Sequence, residues 1–91
     1  MDENMEITQE DLGRTRRENF IFYCDQGFDL LTQAALAGTD LKSIKDSNLA
    51  LRRMLGFFVD QEEFEKCSLI KMLLEKHFPG NTEPIFDYRK I

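Results

Sequence analysis

Two apolar series at helical spacing, interrupted once, constrain this chain more than any other feature. Leu51, Met54, Leu55 and Phe58 recur every three or four positions, and Phe57 and Val59 widen the stripe. The series stops at Asp60-Gln61-Glu62-Glu63 and resumes as Phe64, Cys67, Ile70, Leu74 and Phe78, flanked by Leu69 and Leu73. Asp60 followed by Glu63 reads as the start of a second helix. The Asp carboxylate would accept from a free N–H of the first turn, and Glu62 and Glu63 would face the positive end of the dipole. Pro79-Gly80 ends that helix, with Lys76 and His77 placing positive charge beside its last carbonyls. Asp46-Ser47-Asn48 supplies capping side chains for the first. The spacing therefore predicts an antiparallel helical hairpin over residues 46–78.

Upstream, Thr8-Gln9-Glu10-Asp11 is a start signal, and a long helix is predicted over 8–37 after a frayed stretch at 1–7. Its main stripe is Phe20, Tyr23, Cys24, Gly27, Phe28, Leu31, Ala34 and Ala35. Gly27, on that apolar side, would permit a close helix approach, and Gly38 is a natural stop. Between the long helix and the hairpin, residues 41–45 suit a helical turn with Leu41 and Ile44 inward. The tail, 79–91, is predicted to be extended. Its Ile85, Phe86, Tyr88 and Ile91 suit docking along a groove, in the same subunit or a neighbour. The expected fold is all-α: a single domain with a long N-terminal helix packed on an antiparallel helical hairpin, and an extended C-terminal tail.

Within the second hairpin helix, Phe64-Glu65 is followed by the small pair Cys67-Ser68, then Ile70 and Lys71. This run resembles the second helix of a UVR motif, the short antiparallel hairpin of nucleotide-excision-repair proteins and of some protease-chaperone adaptors. That family favours Phe-Glu, two small residues, an aliphatic residue and an Arg-Asp pair. Here Lys71 stands for the Arg, and Met72 replaces the acid. The resemblance covers residues 49–78 and implies a hairpin used for protein–protein contact.

Seventeen acidic residues against twelve basic ones leave a net charge of −5. That balance disfavours non-specific binding to a nucleic-acid backbone, which needs a basic surface. The acidic, polar start is the reverse of a secretory signal. The longest strictly apolar run, residues 20–24, falls far short of the about 20 residues that span a bilayer, so no membrane association is expected. Cys24 and Cys67 lie on apolar helical faces without metal-ligand or redox spacing, as buried free thiols in a reducing cytoplasm would.

No catalytic constellation emerges. His77, the single histidine, has no Ser or Cys partner at motif spacing and suits a helix-terminal charge role. Glu62, Glu63 and Glu65 match a solvated face, and neither a metal nor a cofactor is implied. Arg14, Arg16, Arg17, Arg52 and Arg53 are the basic concentrations. They could converge on an anionic ligand such as a phosphate or nucleotide, or simply pair with acids such as Glu10 and Glu18. The long helix carries more apolar surface than one hairpin can cover, since Ile21, Phe22, Leu30 and Leu36 project away from its main stripe. The expected function is therefore a non-catalytic protein–protein interaction module, a small adaptor or inhibitor of a larger protein that also forms a homo-oligomer, dimer or higher. Its contact surface would comprise Phe20, Ile21, Phe22, Tyr23, Phe28, Leu30, Ile85, Phe86 and Tyr88. The alternatives are an oligomeric binder of a small anionic ligand and a nucleic-acid-associated accessory protein.

Overall fold

The computed structural model describes the backbone of residues 9–90 and the side chains of residues 16–89. The expected fraying of residues 1–7, a helix start at Thr8 and the side chains of Arg14 and Ile91 lie outside the described residues. Helix α1 spans Gln9–Leu36, α2 spans Ser47–Asp60 and α3 spans Phe64–His77. Two single 3-10 turns complete the chain, Leu41–Ser43 between α1 and α2 and Asp87–Lys90 in the tail. The protein is all-helical, and no strand occurs among the described residues.

Helix α2 is the hub. Leu51, Met54, Leu55 and Phe58 are sealed from solvent, α1 lies along one side of it and α3 along another. Cys24 and Leu31 of α1, and Cys67, Ile70, Leu73 and Leu74 of α3, complete the buried cluster. Phe20, Phe28, Ala34 and Ala35 pack against its edge. Gly27 lies against α2: a Cβ there would stand 3.3 Å from the Met54 sulfur, so a larger residue would require the Met54 side chain to shift.

The helix ends show how the chain reverses. At the end of α1, Gly38 takes a left-handed φ of 88°; its N–H donates to the Ala35 carbonyl, and the Thr39 N–H donates to that of Ala34. This double closure is the Schellman pattern that glycine favours. The end of α2 repeats it with a non-glycine residue. Glu62, at φ 59°, donates to Val59 and Glu63 donates to Phe58. That reversal corrects the expected start of α3. Asp60 is the last residue of α2 rather than a cap, and α3 begins at Phe64 with Glu63 in the cap position and no side-chain cap bond. Residues 61–63 are consumed in turning the chain, which leaves the Asp60 carboxylate to pair elsewhere.

The expected caps of α2 are also spent differently. Asp46 sits in the cap position at φ 59° without a side-chain cap bond. The Ser47 hydroxyl instead donates to the Leu41 carbonyl (2.5 Å), while the Leu41 N–H donates to His77 Nδ1 (3.3 Å). These bonds clasp the α1–α2 connection to the end of α3; His77 satisfies the buried Leu41 N–H, while the Leu41 carbonyl also accepts from the Ile44 N–H (3.1 Å).

The tail is extended only to Phe86. The Arg89 N–H then donates to the Phe86 carbonyl, closing the 3-10 turn that brings Tyr88 and Arg89 onto α2. It passes directly over Gly56, where an added Cβ would collide with the Ile85 carbonyl.

Two stability outcomes follow from this geometry. Gly56→Ala gains about 1 kcal/mol of helix propensity, yet it cannot coexist with the seated tail. The expected result is an intact helical signal by circular dichroism with the Tyr88 ring released, seen as loss of its ring-current shifts by NMR. Glu62→Gly removes a left-handed strain at an exposed position. It should raise stability by about 0.5–1 kcal/mol in chemical denaturation.

Candidate functional site

The aromatic residues of α1 divide into two populations. Phe20 stacks on Tyr88 (centroids 5.1 Å apart, planes at 14°) and meets Phe57 edge-on at 5.7 Å. Phe57 meets Phe58, and Phe58 meets Phe28 edge-on at 5.7 Å. Phe20, Phe28 and Tyr88 thus form one internal aromatic chain, with Lys66 Nζ 4.8 Å from the Phe58 ring centre. Ile85 and Phe86 are half-buried beside it. These five members of the expected contact surface are spent within the chain. Ile21, Phe22, Tyr23 and Leu30 remain exposed, Phe22 at 65% and Leu30 at 66%, and Leu36 is exposed at 82%.

Leu49, Phe64 and Met72 are exposed as well, and for Phe64 this departs from the expected apolar stripe of α3, whose first member it was: it is the first residue of the helix, beyond the reach of α2. Phe64 and Met72 are eight positions apart on α3, which puts them on one outer face. Asp25 and Asp29 share the outer half of α1 with Phe22, so that face mixes apolar and acidic character.

Among the described residues, the arginines do not gather into one cluster. Arg16 and Arg53 line an open groove of about 460 Å³ with Asn19, Phe20, Tyr23, Asp87 and Tyr88. Arg17 lies across Phe20 from it, in a second groove with Arg89. Arg52 turns toward the tail, donating through Nε to the Glu83 carbonyl (2.9 Å). In the first groove, Arg53 donates from Nε and Nη2 to one Asp87 oxygen (3.2 and 2.9 Å). That bond holds the guanidinium above its ordinary pKa. Burial pushes Tyr23 up despite the opposing guanidinium of Arg53. An anion entering here must compete with Asp87 for a charge already met.

Asp40, Ser47 and His77 meet around the Leu41 peptide although 37 positions separate Asp40 from His77. Asp40 Oδ1 lies 3.4 Å from His77 Nδ1, and the Lys42 N–H holds that carboxyl below its ordinary value. The Ser47 proton points to a backbone carbonyl, so the arrangement braces the connection rather than preparing a nucleophile. Burial raises Cys24 to about 12 and also raises Cys67, leaving both as inert thiols near neutral pH.

No protein-family model, curated protein or solved structure matches this chain.

Acid provides a direct check on how the tail is latched. Arg89 donates to both oxygens of Asp60 (2.8 and 2.5 Å) and holds that carboxyl below its ordinary 3.8. A folded-state pKa below the unfolded one contributes stability above the unfolded value and loses it as pH falls through the folded value. Tyr88 NMR signals should therefore titrate with a midpoint below the ordinary 3.8. A midpoint at or above that value would show that the pair does not form. In Asp60→Asn this low-pH step should disappear.

Proposed function

We propose that the chain is a non-catalytic protein–protein interaction module, a small adaptor or inhibitor that engages a larger protein and also copies of itself. The supporting observation is the surplus on α1. After α2, α3 and the tail have all docked, Phe22, Leu30 and Leu36 still face solvent. Fully burying one such side chain contributes about 1.5–3 kcal/mol. A two-fold dimer buries three from each copy, about 9–18 kcal/mol in all, against the roughly 4–15 kcal/mol that association costs in lost freedom. The face by itself thus sustains a weak dimer, and a larger apolar groove on a partner supplies the rest. Asp25 and Asp29 beside Phe22 favour a partner groove rimmed by Lys or Arg. The UVR-like run in α3, with Phe64 exposed at its start, supports the same class of activity.

A second reading, binding of a small anion between subunits, draws support from the Arg16–Arg53 groove. It is the weaker of the two because Asp87 already neutralises Arg53.

Light scattering separates the readings. The wild type should exceed the monomer mass across the micromolar range. Phe22→Asp and Leu30→Asp should return it to monomer with unchanged helicity, because neither side chain belongs to the buried core. A wild type that stays monomeric would remove self-association. Dissociation by Arg16→Glu, with Phe22→Asp silent, would favour the anion reading.

A further inference from the structure

One face of α2 is reserved for the tail, with a contact at every turn. Asn48 Nδ2 donates to the Asn81 carbonyl (3.0 Å), and Arg52 donates to that of Glu83. The Arg52 carbonyl accepts from the Ile85 N–H (3.0 Å), the Gly56 carbonyl from the Tyr88 hydroxyl (3.4 Å), and Asp60 from Arg89. Positions 48, 52, 56 and 60 lie four apart, so they form one stripe along the helix. Arg53, next to the stripe, pairs with Asp87. The tail therefore runs parallel to α2 for its whole length. Beyond Asn81, among the described residues, none of its hydrogen bonds ends on α3, the helix from which it emerges.

In physical terms the tail is a peptide ligand of a site built by α1 and α2, joined to it through residues 78–81. That joint is a turn in which the Asn81 N–H donates to the Phe78 carbonyl (3.0 Å), with Gly80 at φ 93°. Because α3 takes no part in these bonds, none of them requires the tail to come from the same chain.

We infer that the α2 stripe is a docking site for the tail of a second copy of this chain, exchanged reciprocally in the dimer. The inference rests on the self-association proposed above and specifies how it closes. Exchange conserves the tail contacts on both sides. It costs the opening of one turn and the loss of the high effective concentration that the tether provides. Any apolar burial gained between the two copies, with Phe22 and Leu30 the exposed candidates, then weighs directly in favour of the exchanged form. A reciprocal contact is isologous, so assembly stops at two.

Charge reversal tests this in the full-length chain. One variant carries Arg53→Asp and Asp60→Arg on α2; the other carries Asp87→Arg and Arg89→Asp on the tail. In either variant alone, tail and stripe repel. In a mixture of the two, both exchanged interfaces are complementary. Native mass spectrometry should show the heterodimer in about tenfold excess over either homodimer. The variant with all four reversals restores matching within one chain and controls for folding; it should behave as wild type.

A statistical mixture of homo- and heterodimers would overturn exchange while leaving self-association standing through another surface. Variants that stay monomeric when mixed, beside a dimeric wild type, would overturn exchange as well. A monomeric wild type would overturn both.

Discussion

A backbone laid across a glycine holds this structure in its observed form. Gly56 leaves a notch in α2, the Ile85 carbonyl fills it, and the Ile85 N–H reaches the Arg52 carbonyl one turn earlier. That carbonyl lies within a helix, where its second lone pair is free to take another donor. The seat fixes where the 3-10 turn falls, and so delivers Tyr88 to the flat face of Phe20 and Arg89 to Asp60. The side-chain links at Asn48, Arg52, Arg53 and Asp60 are exposed and each contributes little. Their effect lies in register, which places one large aromatic ring where it closes the gap between α1 and α2.

This closure explains the division of labour along α1. The aromatic chain from Tyr88 through Phe20, Phe57 and Phe58 to Phe28 uses the apolar groups that a three-helix arrangement of this size can cover. With α2 flanked by α1, α3 and the tail, nothing in the chain remains to shield Phe22, Leu30 or Leu36. The exposed apolar residues are thus the remainder after the tail has docked. Fold and proposed function are linked through that remainder, because a tail that left α2 would add Phe20 and Phe57 to the exposed set.

Much of this was legible in the residues themselves. The three- and four-residue spacing of Leu51, Met54, Leu55 and Phe58 marked α2, and that of Cys67, Ile70 and Leu74 marked α3; all seven are buried. Gly27 announced a close approach, and Met54 lies against it. The role of Asn48, Arg52, Gly56 and Asp60 was hidden because a polar stripe has the same pattern whether it faces water or a peptide. Asp60 misled for a related reason: its spacing to Glu63 imitates a cap, while its partner, Arg89, lies 29 positions away. Phe20 stood both on the main stripe of α1 and in the expected contact surface. The outcome depended on Tyr88, contributed from the far end of the chain.

Amide hydrogen exchange at Ile85 addresses the central claim most directly. If the tail is an integral wall of the fold, the Ile85 N–H exchanges slowly, with protection approaching that of the α2 interior, while the neighbouring Thr82 exchanges fast. Exchange at Ile85 as rapid as at Thr82 would show the tail unseated, and with it the account of what α2 and α1 leave exposed would fail.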